Sequence, residues 1–112
     1  MNLLNVSLVL FSGVSFIIYG SLLFVSTEMQ NEFKRFKLKK FTTLTGILEL
    51  LGGIGLLVGL KVDFILLVSS AGLALLMLLG FGVRIKVNDS FWLSFPSLFF
   101  MLLNLYVFIV AL

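Results

Sequence analysis

The chain of 112 residues has no cysteine, no histidine and little charge, and each shortage closes off some chemistry. Without cysteine there can be no disulfide, no thiol redox step and no thiolate metal site. Without histidine the commonest general base, haem ligand and zinc ligand is missing. Charged residues make up 12% of the chain and apolar residues 61%, whereas a soluble domain of this size needs far more charge on its surface. The formal net charge is +3, but where the charges sit is more informative than their sum.

Those positions divide the chain. Residues 1–27 carry no charged side chain, and a charged stretch follows from Glu28 to Lys40. Residues 41–60 are apolar except for Glu49, and Lys61 with Asp63 marks a short turn. Residues 64–83 are uncharged, Arg84 to Asp89 form a polar link, and residues 90–112 are uncharged. About 20 helical residues cross a hydrocarbon core roughly 30 Å thick, and all four apolar segments reach that length. Backbone inside a bilayer must satisfy its own hydrogen bonds, and strand-type alternation is absent, so these segments are expected to be helices rather than barrel strands. The predicted fold is an all-α membrane protein. It is a single transmembrane domain over 1–112, a four-transmembrane-helix bundle with helices at about 3–26, 41–60, 63–84 and 91–112. The first span has no basic leader and no small-residue cleavage site before Glu28, so it is expected to be retained.

Four spans put the loop with Lys34, Arg35, Lys37, Lys39 and Lys40 on the same side as Arg84 and Lys86. Seven basic residues there face only Lys61 on the other side. This asymmetry predicts cytoplasmic basic loops with both termini outside, in a bacterial inner membrane. The basic loops could serve topology alone, or could also attract anionic lipid at about 1 kcal/mol per residue near the surface.

Between the first two spans, Thr27 followed by Gln30 fits a capping box. Met29, Phe33 and Phe36 recur at i, i+4 and i+7 while Glu32, Lys34 and Arg35 turn mostly away. That pattern predicts a short amphipathic interfacial segment at about 28–37 with its aromatics at headgroup level. Glu32, Phe33, Arg35, Phe36 and Arg84 are the candidates there for contact with lipid or a partner.

The second span carries the clearest asymmetry. At about 100° per residue, Thr45, Gly46, Gly52 and Gly53 lie within about 60° of Glu49. Leu44, Ile47, Leu51, Ile54 and Val58 occupy the other side and suit lipid. Helices in lipid associate through small residues, so Glu49 is expected to point into the bundle, and Gly55 with Gly59 to serve packing within the chain. Glu49 lies about 12 Å from the basic end of its helix, with Tyr19 at a similar level, Ser97 slightly shallower and Asn104 deeper by about 8 Å. Ser97, Asn104 and Ala111 share one heptad seam. A charged carboxylate at this depth costs about 2.5 kcal/mol or more unless paired or neutralised. A neutral carboxyl bonded to Tyr19 or Ser97 is the expected escape. Glu49, Tyr19, Ser97 and Asn104 are therefore the candidate functional residues, with an acid that merely ties helices together as the other reading of Glu49.

The run Glu32-Phe33-Lys34-Arg35-Phe36, then Phe41, then Thr45-Gly46-Ile47-Leu48-Glu49-Leu50-Leu51-Gly52-Gly53 resembles the DoxX-like family of small four-helix membrane proteins. That family shows an acid-aromatic-x-Arg-aromatic loop followed by a Gly-x-x-Glu-Leu-x-Gly helix. Met77, Arg84 and Asp89 also fall where its third helix and following loop would place them. Lys37 and Lys39 stand where the family often has glycine and proline. The resemblance implies the four-helix fold. The functions it implies are mixed: quinone-dependent sulfur oxidation, oxidative-stress complexes and, in animal relatives, receptor assembly.

Three functional classes follow. The chain is expected to be an accessory or scaffold subunit of a larger membrane complex, with no catalytic activity of its own. The alternative is a quinone- or lipid-binding membrane subunit of a redox system, since Glu49 with Tyr19 could exchange a proton beside an apolar cavity. Lacking haem ligands and cysteines, such a subunit would not carry electrons alone. A small proton-coupled exporter ranks third, because exporters of this size use an acid on the first helix and here it is on the second. No metal or resident cofactor is expected, quinone excepted. The expected partners are the lipid bilayer and another membrane protein, with a homo-oligomer left open and nucleic acid set aside.

Overall fold

The first helix starts at Asn2, whose side-chain Oδ1 accepts a hydrogen bond from the Asn5 N–H at 2.8 Å and so fills one of the open donors of a helix start. The structure, a computed structural model, describes residues 2–112, the side chain of Lys39 excepted; that lysine's expected place in the basic loop therefore lies outside the described residues. α1 spans Leu3–Val25, α2 Thr27–Arg35, α3 Thr42–Gly59, α4 Asp63–Lys86 and α5 Phe91–Ala111, and a 3-10 turn at Lys39–Phe41 precedes α3. α1, α3, α4 and α5 have 23, 18, 24 and 21 residues, each long and apolar enough to cross a membrane. α2 is the short amphipathic segment.

The capping box expected at Thr27 is displaced by one residue. Ser26 is the cap, its Oγ accepting from the Met29 N–H at 3.4 Å, and the Gln30 Nε2 donates to the Leu23 carbonyl at 3.2 Å instead of reaching back to the cap. Ser26 also closes α1, its N–H donating to the Leu22 carbonyl at 2.6 Å, so one extended residue makes the whole bend between α1 and α2.

α2 and α4 stop in the same way. After α2 the Lys37 N–H donates to the Lys34 carbonyl at 3.0 Å and the Leu38 N–H to the Phe33 carbonyl at 2.8 Å. After α4 the Asn88 N–H donates to Ile85 at 3.1 Å and the Asp89 N–H to Arg84 at 2.9 Å. Both are six-residue Schellman closures, which need a left-handed residue just past the helix. Lys37 (φ 62°) and Asn88 (φ 61°) supply it. Asparagine tolerates that region, while lysine is strained in it.

The spans form a closed ring in which α1 packs on α3 and α5, and α4 packs on α3 and α5. Glycines set the closest approaches. A methyl built on Gly53 would lie 2.7 Å from the Gly13 carbonyl oxygen, and one on Gly20 would lie 2.9 Å from the Gly46 carbonyl oxygen. Two glycine pairs seven residues apart thus clasp α1 to α3. On the other flank Gly59 faces the Leu66 backbone, Gly55 faces Ser69, and Gly52 faces Leu73, clasping α3 to α4 within the chain, as expected for Gly55 and Gly59. Leu44, Ile47, Leu51, Ile54 and Val58 are all exposed, as the helix pattern implied. Val9, Phe16, Leu56, Leu66, Leu73, Phe100 and Val107 form the buried core.

Gly53→Ala should lower the stability of the detergent-solubilised protein by about 1–3 kcal/mol, because the methyl meets backbone that cannot move aside. Gly82→Ala, where an added methyl meets nothing within 4 Å, should be neutral or slightly stabilising. Thermal unfolding of the two variants checks the contrast, and equal melting temperatures would show that the α1–α3 clasp carries no such constraint.

Candidate functional site

α3 and α4 are clasped through residues 52–59 of α3, away from the end that carries the basic loops. Toward the basic end the helices line a partly open cavity of about 610 Å³. Its inner walls are Phe16, Tyr19 and Leu23 of α1, Leu44, Thr45, Leu48 and Glu49 of α3, Leu76, Met77, Leu79, Gly80, Val83 and Arg84 of α4, and Pro96, Ser97 and Phe100 of α5. Met29, Phe33, Phe36, Leu38 and Phe41 complete it from α2 and the link to α3. α2 is therefore a roof. Its apolar stripe faces the interior of the bundle, not headgroup-level lipid alone, because the open end beneath it offers a continuous apolar floor.

Glu49 is 7% exposed, and its Oε2 is buried without a hydrogen-bond partner. It lies on α3 between the two glycines that touch α1, so no bulky neighbour on its own face fills the space before it. Tyr19 and Ser97 line the same cavity, but the hydrogen bond expected from either to Glu49 is not made. Tyr19 instead packs edge-on against Phe100, with ring centroids 5.9 Å apart. Phe100 also packs against Phe11, Phe16 and Phe99, which makes it the centre of the α1–α5 aromatic contact.

Asn104 does not belong to this group. It is fully buried farther along α5, where its Oδ1 accepts from the Ser12 hydroxyl at 3.2 Å and its Nδ2 donates to the Phe100 carbonyl at 2.8 Å. That pair ties α1 to α5. Sequence reasoning placed Asn104 inward but missed Ser12, since nothing in a single helix pattern names a partner on another helix.

The candidate contact residues at the basic end engage one another. Arg35 makes a two-point pair with Asp89 (2.8 and 2.9 Å) and bonds Glu32 at 2.8 Å. Arg84 reaches Asp89 at 3.1 Å and Glu32 at 3.4 Å. Both guanidiniums lie over the Phe36 ring, at 4.8 and 5.2 Å from its centre. Two acids and two arginines thus pin the end of α2 to the end of α4. Asp89, which the sequence marked only as a loop position, is the hub. The Schellman closure at Asn88 folds it back over the last turn of α4, leaving its side chain only 6% exposed. Hydrogen bonding to Arg35, and secondarily to Arg84, holds its carboxyl below the usual aspartate range, and the same bonds to Asp89 and Glu32 push the Arg35 guanidinium up.

The family model described as the DoxX-like family matches residues 3–107, a stretch that takes in the cavity, its roof and the ion cluster. The chain belongs to the DoxX-like family. No match was found among curated proteins or solved structures. The acid-aromatic-x-Arg-aromatic run of this DoxX-like chain is thus the roof with its ion pairs, and the Gly-x-x-Glu helix is the wall carrying the buried acid. Both specific stretches of the DoxX-like pattern meet at one cavity.

Because the folded Asp89 carboxyl is held low, its tie to the roof is present above the ordinary aspartate value of about 4 and is lost as pH falls through the lowered value. Hydrogen exchange across α2, corrected for intrinsic rates, should therefore stay constant from pH 7 to about 5 and rise only below about 4. Asp89→Asn should raise it roughly fivefold between pH 5 and 7, a modest factor because Arg35 and Glu32 are solvent-screened, and the two proteins should converge once the wild-type carboxyl is protonated. Unchanged α2 exchange in that variant would mean the ion cluster does not hold the roof.

Proposed function

We propose that this integral membrane protein binds a neutral amphiphile of the quinone class in the cavity beneath α2, and does so as a subunit of a larger membrane assembly. The observation that carries the reading is Glu49, an acid that lines an apolar, aromatic-walled space of about 610 Å³ and whose buried Oε2 has no hydrogen-bond partner. Buried polar groups are nearly always satisfied, so an acid left short of partners on a cavity wall marks where a ligand's hydrogen-bonding group would go. A neutral head fits better than a phosphate, because the one lining cation among the described residues, Arg84, is already engaged by Glu32 and Asp89. Flat rings suit a head group packed beside Phe16, Tyr19, Phe36, Phe41 and Phe100. A bound quinone would supply the redox chemistry. The chain's own part would be to exclude water, orient the head and hold a proton at Glu49. Electron transfer would fall to another protein, which keeps the accessory role expected from the sequence.

Equilibrium binding of decylubiquinone to the purified protein in mild detergent tests this. Glu49→Met keeps the side-chain length and removes the hydrogen bond, so affinity should fall roughly tenfold while thermal stability holds or rises. Glu49→Gln keeps a donor and an acceptor and should stay within about threefold of wild type. Wild-type protein that retains phospholipid but takes up no quinone would turn the reading toward a lipid ligand.

The charge asymmetry supports an orientation with the roof in the cytoplasm and both termini outside, in a bacterial inner membrane. A reporter fused after Leu112 should be active only outside the cytoplasm, and one inserted near Gln30 only inside. The reverse pattern would overturn the charge argument.

A further inference from the structure

The cavity under the roof is not closed toward the membrane. A second hollow of about 320 Å³ runs along the outer seam between α3 and α4, and Leu48, Leu76 and Leu79 line both spaces. The hollow is almost wholly apolar, and its wall residues Leu51, Leu75 and Leu79 are exposed, so it opens to the lipid. Gly72 makes the room on the α4 side, since a methyl built there meets nothing within 4 Å. From Leu79 to Val68 the groove follows α4 for about 16 Å, the reach of an extended chain of roughly a dozen carbons.

We infer that the α3–α4 seam is the chain-binding half of the site: a prenyl or alkyl quinone enters sideways from the bilayer, its head passes Leu48 and Leu76 toward Glu49, and its tail stays in the groove beside Gly72. This rests on the quinone reading above and adds the route of entry and a requirement for a tail. The roof is the wrong door for such a molecule, because leaving through it would carry an apolar tail past the four-residue ion cluster into water. The seam needs no such passage. Gly52, Gly55 and Gly59 clasp α3 to α4 along the groove and beyond it, and the residues that line both the groove and the cavity are leucines.

Gly72→Leu fills the groove without displacing backbone, and Gly82→Leu, at a glycine equally open but outside both spaces, is its control. The probes are decylubiquinone and its chainless parent, dimethoxy-methyl-benzoquinone, each titrated against the full chain in mild detergent. Wild type should bind the decyl compound at least tenfold more tightly than the parent. Gly72→Leu should lose most of that preference while binding the parent as wild type does, and Gly82→Leu should behave as wild type. Unchanged decyl affinity in Gly72→Leu, with wild type still binding both quinones, overturns the groove and leaves the head site standing; the hollow is then solvated by ordinary acyl chains. Wild type that binds neither quinone overturns the head site and the groove together.

Discussion

Close approach of α1 and α3 governs the arrangement of the other elements. In lipid there is no hydrophobic drive to press helices together, so association depends on how near two backbones can come. Gly13 against Gly53 and Gly20 against Gly46 bring them as near as side chains allow. The spacing of seven keeps both contacts on one stripe, and Glu49 stands on that stripe between them. The acid is therefore fixed in direction by its neighbours' lack of side chains, with no bond of its own. α3 is clasped to α4 through Gly52, Gly55 and Gly59, all toward the end with the termini. A bundle joined along one helix pair and at one end of another must open at the remaining corner, and that corner is the cavity.

The open corner explains why the chain needs α2. Without a roof, Leu23 and Val83, near the basic ends of their helices, would meet the polar interface directly. Met29, Phe33 and Phe36 cover them, and the Schellman closure at Lys37 returns Leu38 against Phe33 to complete the cover. The tie that holds the roof is electrically neutral: Glu32 and Asp89 answer Arg35 and Arg84. That leaves Lys34, Lys37, Lys40 and Lys86 exposed to set the net charge of this face. Arginines thus take the fork-shaped pairs while these lysines turn toward solvent, as their side-chain geometry favours.

Much of this was legible in the sequence because one-dimensional signals carry it. Uninterrupted apolar runs mark the four spans to within a few residues. The glycine face of α3 marks the direction of Glu49, and its leucines mark the lipid side. The signals failed where a partner lies on another element. Ser12 is an unremarkable serine in an apolar run until α5 brings Asn104 to it. Asp89 is a loop acid until the turn at Asn88 folds it onto Arg84 and presents it to Arg35, 54 residues away. Ser26 was missed as the cap because Thr27 fits the local rule equally well, and only the bend that Ser26 makes with α1 decides between them. The family's frequent glycine at the position of Lys37 was a usable hint, since that residue sits at φ 62°.

Whether Glu49 is a structural acid can be argued from how this chain treats its other polar groups. Where a buried polar side chain joins helices, it is bonded: Ser12 donates to Asn104, and Asn104 donates again to its own helix. Where acids hold elements together, arginines meet them, as at Glu32 and Asp89. Among the described residues only the Glu49 Oε2 and the Ser94 hydroxyl are buried without a partner. A serine hydroxyl is one rotation from the carbonyls of its own helix, so Ser94 has a ready remedy. The Glu49 Oε2 has no such bond, although Tyr19 and Ser97 line the same space. A bundle that bonds its helix-joining polar groups, yet leaves the Glu49 Oε2 unpaired on a residue that lines a cavity, favours the proposal that a ligand completes this site.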